Sequence, residues 1–247
     1  MRVKPYSTLR IAYTDSLTLE PDTEAAPDRA ALLQGDGVAL EYRVEGGSLK
    51  LPKICAPNTV RINWYEGETL LFTTFLVVVT RHYFDIAQLR AMDDMDDFSD
   101  KTEEEFWAAR QSATEIFEKN ARRSFVQQMG TTETFEGGFV WLDHNDVHDI
   151  LTPGWVLVSD CQAKGPEGRA TIRYRYGLQE VPERVSEAVL ALAAYYLRPS
   201  ATPDRATGES TDAGFIRYTL AGKDGATGLP EVDAAIEQFG RSGVMLL

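Results

Sequence analysis

The chain has 247 residues, 43% of them hydrophobic and 26% charged, with a formal net charge of −13 and a pI near 4.7. That length allows one large domain or two modest ones, each with a packed core, and the acidity excludes a protein that grips a phosphate backbone through neutralising lysines and arginines. Between Asp93 and Glu105 eight carboxylates face only Lys101, a run that reads as a solvated loop and helix start.

The opening Met1-Arg2-Val3-Lys4-Pro5-Tyr6 has no apolar segment behind its basic residues and predicts no secretory signal. Cys55 and Cys161 sit in no C-x-x-C pattern, so two reduced thiols in a cytoplasmic product are expected. Strand candidates follow at Leu9 to Tyr13, Val38 to Val44, Val60 to Tyr65 and Leu70 to Thr80, separated by turn-rich segments. The last of these contains the longest apolar run. It is too short to span a bilayer and is rich in β-branched and aromatic residues, which predicts a buried strand and no membrane partner.

Near Tyr83 the period changes from two to about 3.6. Asp85 to Met92 predicts a short helix with Ile86, Leu89 and Met92 along one side. Thr102-Glu103-Glu104-Glu105 has the form of a capping box, and Phe106, Ala109, Ala113, Ile116, Phe117 and Ala121 then recur at helical spacing to about Arg123. Strands return at Gly138 to Leu142, Val147 to Leu151, Trp155 to Val158 and Arg169 to Tyr176, with turns at Pro153-Gly154 and Gly165-Pro166-Glu167-Gly168. In the last strand Arg173 and Arg175 share one face and Ile172, Tyr174 and Tyr176 the other, the pattern of a half-buried strand. Pro182 opens an apolar helix over Glu183 to Leu197, whose apolar residues run nearly all round and predict burial in a bundle core or at a subunit interface. Ser200 to Gly214 reads as a polar loop, Phe215 to Leu220 as a strand, and Glu231 to Phe239, behind Pro230, as a short helix stopped by Gly240. The apolar Val244-Met245-Leu246-Leu247 is expected to dock on the same fold or on a neighbour. The fold class is therefore α+β: a β-rich N-terminal domain over residues 1–82, then a small helical bundle over 83–247 with a β-strand insertion at about 138–176.

The stretch Trp141-Leu142-Asp143-His144-Asn145-Asp146-Val147-His148-Asp149 is the one cluster that invites a metal-site reading. His144 and His148 are four apart, as in helical zinc sites, but no Glu follows His144 and the segment lies between strands. In an extended chain residues four apart are separated by about 13 Å, too far to share an ion. The favoured reading is a polar turn joining two strands. The alternative is a metal-dependent hydrolase using the His144/His148/Asp cluster. A β-sandwich binding module with a helical appendix is a third reading. No nucleophile motif or phosphate-cradling glycine pattern is present, His82 stands alone, and no catalytic, cofactor or metal residue is assigned.

The order of elements resembles the head-to-tail adaptor (connector, or head-completion) proteins of long-tailed bacteriophages. The matching residues are Ala113, Ile116, Phe117, Arg123 and Phe125, then Gly177, Pro182, Ala188, Leu190, Ala193, Ala194 and Leu197. Phe215 to Gly240 is similar to the ending of connectors from phages of actinobacteria. The resemblance covers about Tyr83 to Gly240 and rests on packing residues, with the N-terminal β-rich region extra to it. It implies a non-enzymatic structural protein of the virion neck, made in the host cytoplasm. Such a protein forms a homo-oligomeric ring, commonly of twelve copies, between the portal protein and a stopper or tail-terminator protein. Packaged DNA passes through without sequence-specific binding. By the same resemblance the C-terminal segment touches the portal, which nominates Phe215, Tyr218, Leu220, Pro230, Val232, Ile236, Phe239, Val244, Leu246 and Leu247 as interface residues. The strand insertion would face the next protein down or the lumen.

Overall fold

A computed structural model describes residues 1–35, 37–93, 98–198, 208–211, 214–217 and 227–241. The fold is mixed α+β and mostly β, with four helices among the described residues. It divides into two compact units, one of Met1–His82 with Ser124–Glu180 and the other of Tyr83–Arg123 with Val181–Leu247.

The first unit is built on a five-stranded sheet of β2 (Thr8–Ala12), β4 (Arg29–Gln34), β5 (Ala39–Arg43), β7 (Asn58–Glu66) and β8 (Thr69–Val79), in the order β2-β8-β7-β4-β5. β2 and β8 run parallel and the other pairs antiparallel. Period-two patterning decides which face is buried. Val60, Ile62 and Trp64 of β7 are within 1% of full burial, and their cross-strand neighbours Leu76, Thr74 and Phe72 are buried beside them. Trp64 stacks on Phe72 with ring centroids 5.7 Å apart, and its Nε1 donates to Thr74 Oγ1 at 3.0 Å. A smaller sheet of β1 (Arg2–Val3), β3 (Thr18–Pro21) and β6 (Leu49–Lys50) buries Val3, Leu19 and Leu49. β3, β4 and β6 lie in segments read as turn-rich connections, and β1 lies ahead of the first strand expected from the sequence. Ala30 and Leu32 alternate over too few residues to announce a strand, and the pairing to β7 makes one of them.

Residues 124–180 form two three-stranded antiparallel sheets. One has the order β11-β14-β9, from β9 (Gln128–Thr134), β11 (Val147–Ile150) and β14 (Ala170–Tyr176). The other has the order β10-β13-β12, from β10 (Gly137–Trp141), β12 (Val156–Ser159) and β13 (Gln162–Glu167). Leu142, Val147, Trp155, Ala163, Ile172 and Tyr174 make their shared core. The stretch read as a turn at 165–168 is strand up to Glu167, because β13 pairs on both sides and only Gly168 (φ +102°) needs a left-handed backbone.

These strands group with the N-terminal sheets, whereas the sequence division at residue 82 put them with the helices. Thr80 N donates to Gln127 O at 3.3 Å and Arg173 Nη1 donates to Gly35 O. Such pairings link residues up to 138 positions apart, a separation that local periodicity does not register.

The second unit holds α1 (Ile86–Arg90), α2 (Glu103–Ala121), α3 (Glu183–Leu197), α4 (Pro230–Phe239) and the antiparallel pair β15 (Gly208–Thr211) and β16 (Gly214–Arg217). β15 falls inside the segment read as a loop. The capping box of α2 forms as its sequence predicts, with Glu105 N donating to Thr102 Oγ1 at 3.3 Å and Thr102 N donating to Glu105 Oε2 at 2.8 Å. The Thr102 bonds hold the Glu105 carboxyl below its ordinary range, so their contribution is present above the unfolded value and is lost as pH falls through the lowered one. α3 buries Val185, Ala188, Val189, Leu192, Ala193, Ala194 and Leu197, yet leaves Tyr195 and Tyr196 49% and 38% exposed.

Candidate functional site

The 143–146 segment is a turn joining β10 of one sheet to β11 of the other, and it is anchored at each step. Leu142 N donates to Cys161 O, Asp143 N to Thr132 Oγ1 at 3.0 Å, and Val147 N to Asp160 O. Asp146 takes a left-handed backbone (φ 57°), which aspartate tolerates better than most residues. The His144 ring lies on Tyr176 with centroids 3.9 Å apart and its Nδ1 is 2.8 Å from the Tyr174 hydroxyl, which is itself 3.0 Å from Thr132 Oγ1. The Tyr174 hydroxyl can donate to one of the two and accept from the other, so both contacts are satisfied together, with the direction set by the His144 tautomer. Burial pushes the Tyr174 phenol above its ordinary value, against the Thr132 bond, which keeps it a neutral donor at physiological pH.

His148 lies exposed on β11 and Asp149 Oδ2 accepts from Arg175 Nη1 at 3.3 Å. Among the described residues no group of three His, Cys, Asp or Glu is placed to hold a metal ion. His82 is 2.8 Å from Asp15 Oδ2, an oxygen that also accepts from Ala12 N, so it closes the ends of β2 and β8. Tyr174→Phe is expected to lower stability by about 1–3 kcal/mol in urea unfolding, because Thr132 and His144 lose their common partner in a buried site. A change under 0.5 kcal/mol would mean the network is not satisfied as described.

The sheet β10-β13-β12 has two unlike faces. Val140, Ala163 and Leu157 point into the core. Their neighbours Phe139 (63% exposed), Trp141 (63%), Val156 (60%) and Val158 (49%) point out. Lys164 pairs with both Phe139 and Val156 across the strands, and its Nζ stands 5.3 Å from the Phe139 ring centroid. No carboxylate partner of Lys164 is found among the described residues. Phe135, 70% exposed, lies between β9 and β10 with the Arg169 guanidinium over its ring at 5.1 Å. The sequence reading missed this face. Continuous apolar runs such as Phe139-Val140-Trp141 and Val156-Leu157-Val158 carry no alternation to tell one face from the other, and a short antiparallel sheet covered on one side buries only alternate residues.

Of the residues nominated at the C-terminal interface, Tyr218, Leu220, Val244, Leu246 and Leu247 lie outside the described residues, and Phe215 is described only as backbone in β16. In α4, Pro230 is exposed, Ile236 and Phe239 are half-buried, and Val232 is fully buried. α4 is tied to α2: Arg241 N donates to Ala121 O at 2.9 Å and Arg123 Nη1 to Phe239 O at 3.3 Å. Val232 is thus a packing residue of its own unit.

The molecule is an α+β chain that, among the described residues, leaves an apolar sheet face exposed. No family model matches it, and no curated protein matches it at a significant level. It is similar to a chain in the neck of an empty gene transfer agent particle computed with C6 symmetry, at 16% identity over 66% of this chain and 92% of that one, with a TM-score of 0.44. A chain in the virion of a native gene transfer agent particle is similar at 16% identity over the same shares, with a TM-score of 0.42. Likenesses this loose carry no function across. No helix among the described residues is long and apolar enough to cross a membrane.

Proposed function

We propose that this chain is a non-enzymatic structural subunit of a tailed-phage virion neck. It would act in a homo-oligomeric ring between the portal and a stopper or tail terminator, completing the head and leaving a conduit for DNA. The observation that carries the reading is that most of the residues behind the connector resemblance occupy packing positions, with Ile116, Arg123, Pro182 and Leu190 half-buried. Ala113, Phe117 and Phe125 are within 1% of full burial, Ala188, Ala193, Ala194 and Leu197 line the buried side of α3, and Gly177 sits at a backbone approach that a side chain would block. A net charge of −13 suits a wall past which DNA moves without adhering. The metal-dependent hydrolase is the weaker reading, since His144 is engaged by Tyr174.

Imaging the full chain with its portal is expected to show subunits in a ring coaxial with the portal, and a portal that captures none of the chain would overturn the reading. Truncation after Gly214 is expected to abolish neck assembly; a neck that still forms removes the assignment of portal contact to the C-terminal segment. Elemental analysis that finds stoichiometric metal, lost in a His144→Ala/His148→Ala double variant, would establish the hydrolase instead.

A further inference from the structure

The outer face of β10-β13-β12 exposes on the order of 400 Å² of contiguous apolar surface from Phe139, Trp141, Val156 and Val158, at the upper end of what monomers leave in water. That is about half of one side of a standard protein interface. At its centre Lys164 is a cation without a carboxylate partner among the described residues, in a chain of net charge −13. Whatever covers this face therefore brings apolar side chains and a carboxylate.

The second unit carries such a surface. α2 and α3 pack side by side, and between them Ala108, Ala109, Ser112, Ile116, Tyr196 and Leu197, together with the Lys101–Glu105 ion pair in which each charge is offset by the other, line an open groove of about 410 Å³. Exposed Glu104 stands one helical turn before Ala108 on α2, and no cation is paired with it among the described residues. Three strands span about 10 Å and two packed helices lie 8–10 Å apart axis to axis, so a three-stranded sheet matches a helix pair in width. From this complementarity we infer that the outer β10-β13-β12 face of one copy docks on the α2/α3 groove of a second copy, with Lys164 opposite Glu104. Different patches meet in such a contact, so it is heterologous and propagates from copy to copy, making a ring where the rotation closes. The inference rests on the ring reading above and names its subunit contact. It also assigns the strand insertion to a protein neighbour, because aromatic side chains facing a water-filled lumen would stay uncovered.

Sedimentation of the full chain over rising concentration tests it. Wild type is expected to self-associate, Trp141→Ser to weaken association by roughly 30-fold or more, and Lys164→Glu or Glu104→Lys by about fivefold each. All three positions are exposed, so circular dichroism should be unchanged. The double variant Lys164→Glu/Glu104→Lys is expected to regain association, a readout that a folding defect would not restore. A monomeric wild type at high concentration, a Trp141→Ser chain that associates like wild type, or a double variant weaker than either single one overturns the inference. So does a Trp141→Ser chain that keeps self-association while losing capture by the portal, or a face that binds single-stranded DNA. Trp141→Ser chains that still form a neck ring sink the subunit contact and leave the neck reading standing. Wild-type chains that self-associate through this face yet are absent from particles sink only the neck reading.

Discussion

Trp64→Ala is expected to lower stability by about 3–5 kcal/mol, the range for deleting a fully buried indole. The side chain is 0% exposed in the middle of β7, stacked on Phe72, and its Nε1 is satisfied by Thr74 Oγ1. Alanine opens a cavity between three strands and leaves the Thr74 hydroxyl, 1% exposed, without its partner. A chain of this length should show a fall on the order of 10 °C in the melting transition followed by circular dichroism. Trp64→Phe should recover much of the volume and little of the hydrogen bond, and so fall between the two. A Trp64→Ala chain that melts within 2 °C or so of wild type would mean the five-stranded sheet is not packed as described.

Gly177→Ala is the second large effect, about 3 kcal/mol, and it has two physical parts. Gly177 holds φ +98°, a conformation that costs an L-residue roughly 1–2 kcal/mol. A Cβ there would also lie 2.1 Å from the Val126 carbonyl oxygen, a contact that only a backbone shift can relieve. The shift matters because Gly177 N donates to Asp146 O and Leu178 N to Ser124 O, which pin the His144 turn and the start of the strand segment together. Gly154 separates the two parts. It has φ +81° but nothing nearer than 3.6 Å to an added Cβ, so Gly154→Ala should cost only the conformational share. Equal losses at the two glycines in urea titration would remove the clash from the account.

Much of the helical unit was legible because its signals are local. The Thr102–Glu105 box, Pro182 before α3, and Pro230 and Gly240 around α4 are stop and start chemistry confined to a few residues, and each sits where its side chains direct. β7, β8 and β14 were legible by alternation or by length. The short strands β1, β3, β4 and β6 were not, because two to six residues carry too little period and are strands only through their partners. β9 was missed for a different reason: Gln128-Met129-Gly130-Thr131-Thr132-Glu133-Thr134 is polar, and it is buried by pairing along its whole length with β14.

The same division holds for function. The sequence by itself determined that this chain is acidic and that its histidine pair, though spaced as in helical zinc sites, lacks the following Glu and the helical context such a site needs. Those are properties of composition and neighbouring residues. Only the tertiary structure decided that His144 is held by Tyr174 and Tyr176 from a strand 30 residues on, that Val232 belongs to the interior, and that Phe139, Trp141, Val156 and Val158 face outward. The reason is that hydrophobicity fixes that an apolar side chain gains by burial, while the pairing of distant strands fixes which apolar side chains the chain itself can bury. Those it leaves uncovered are the ones a second molecule can reach.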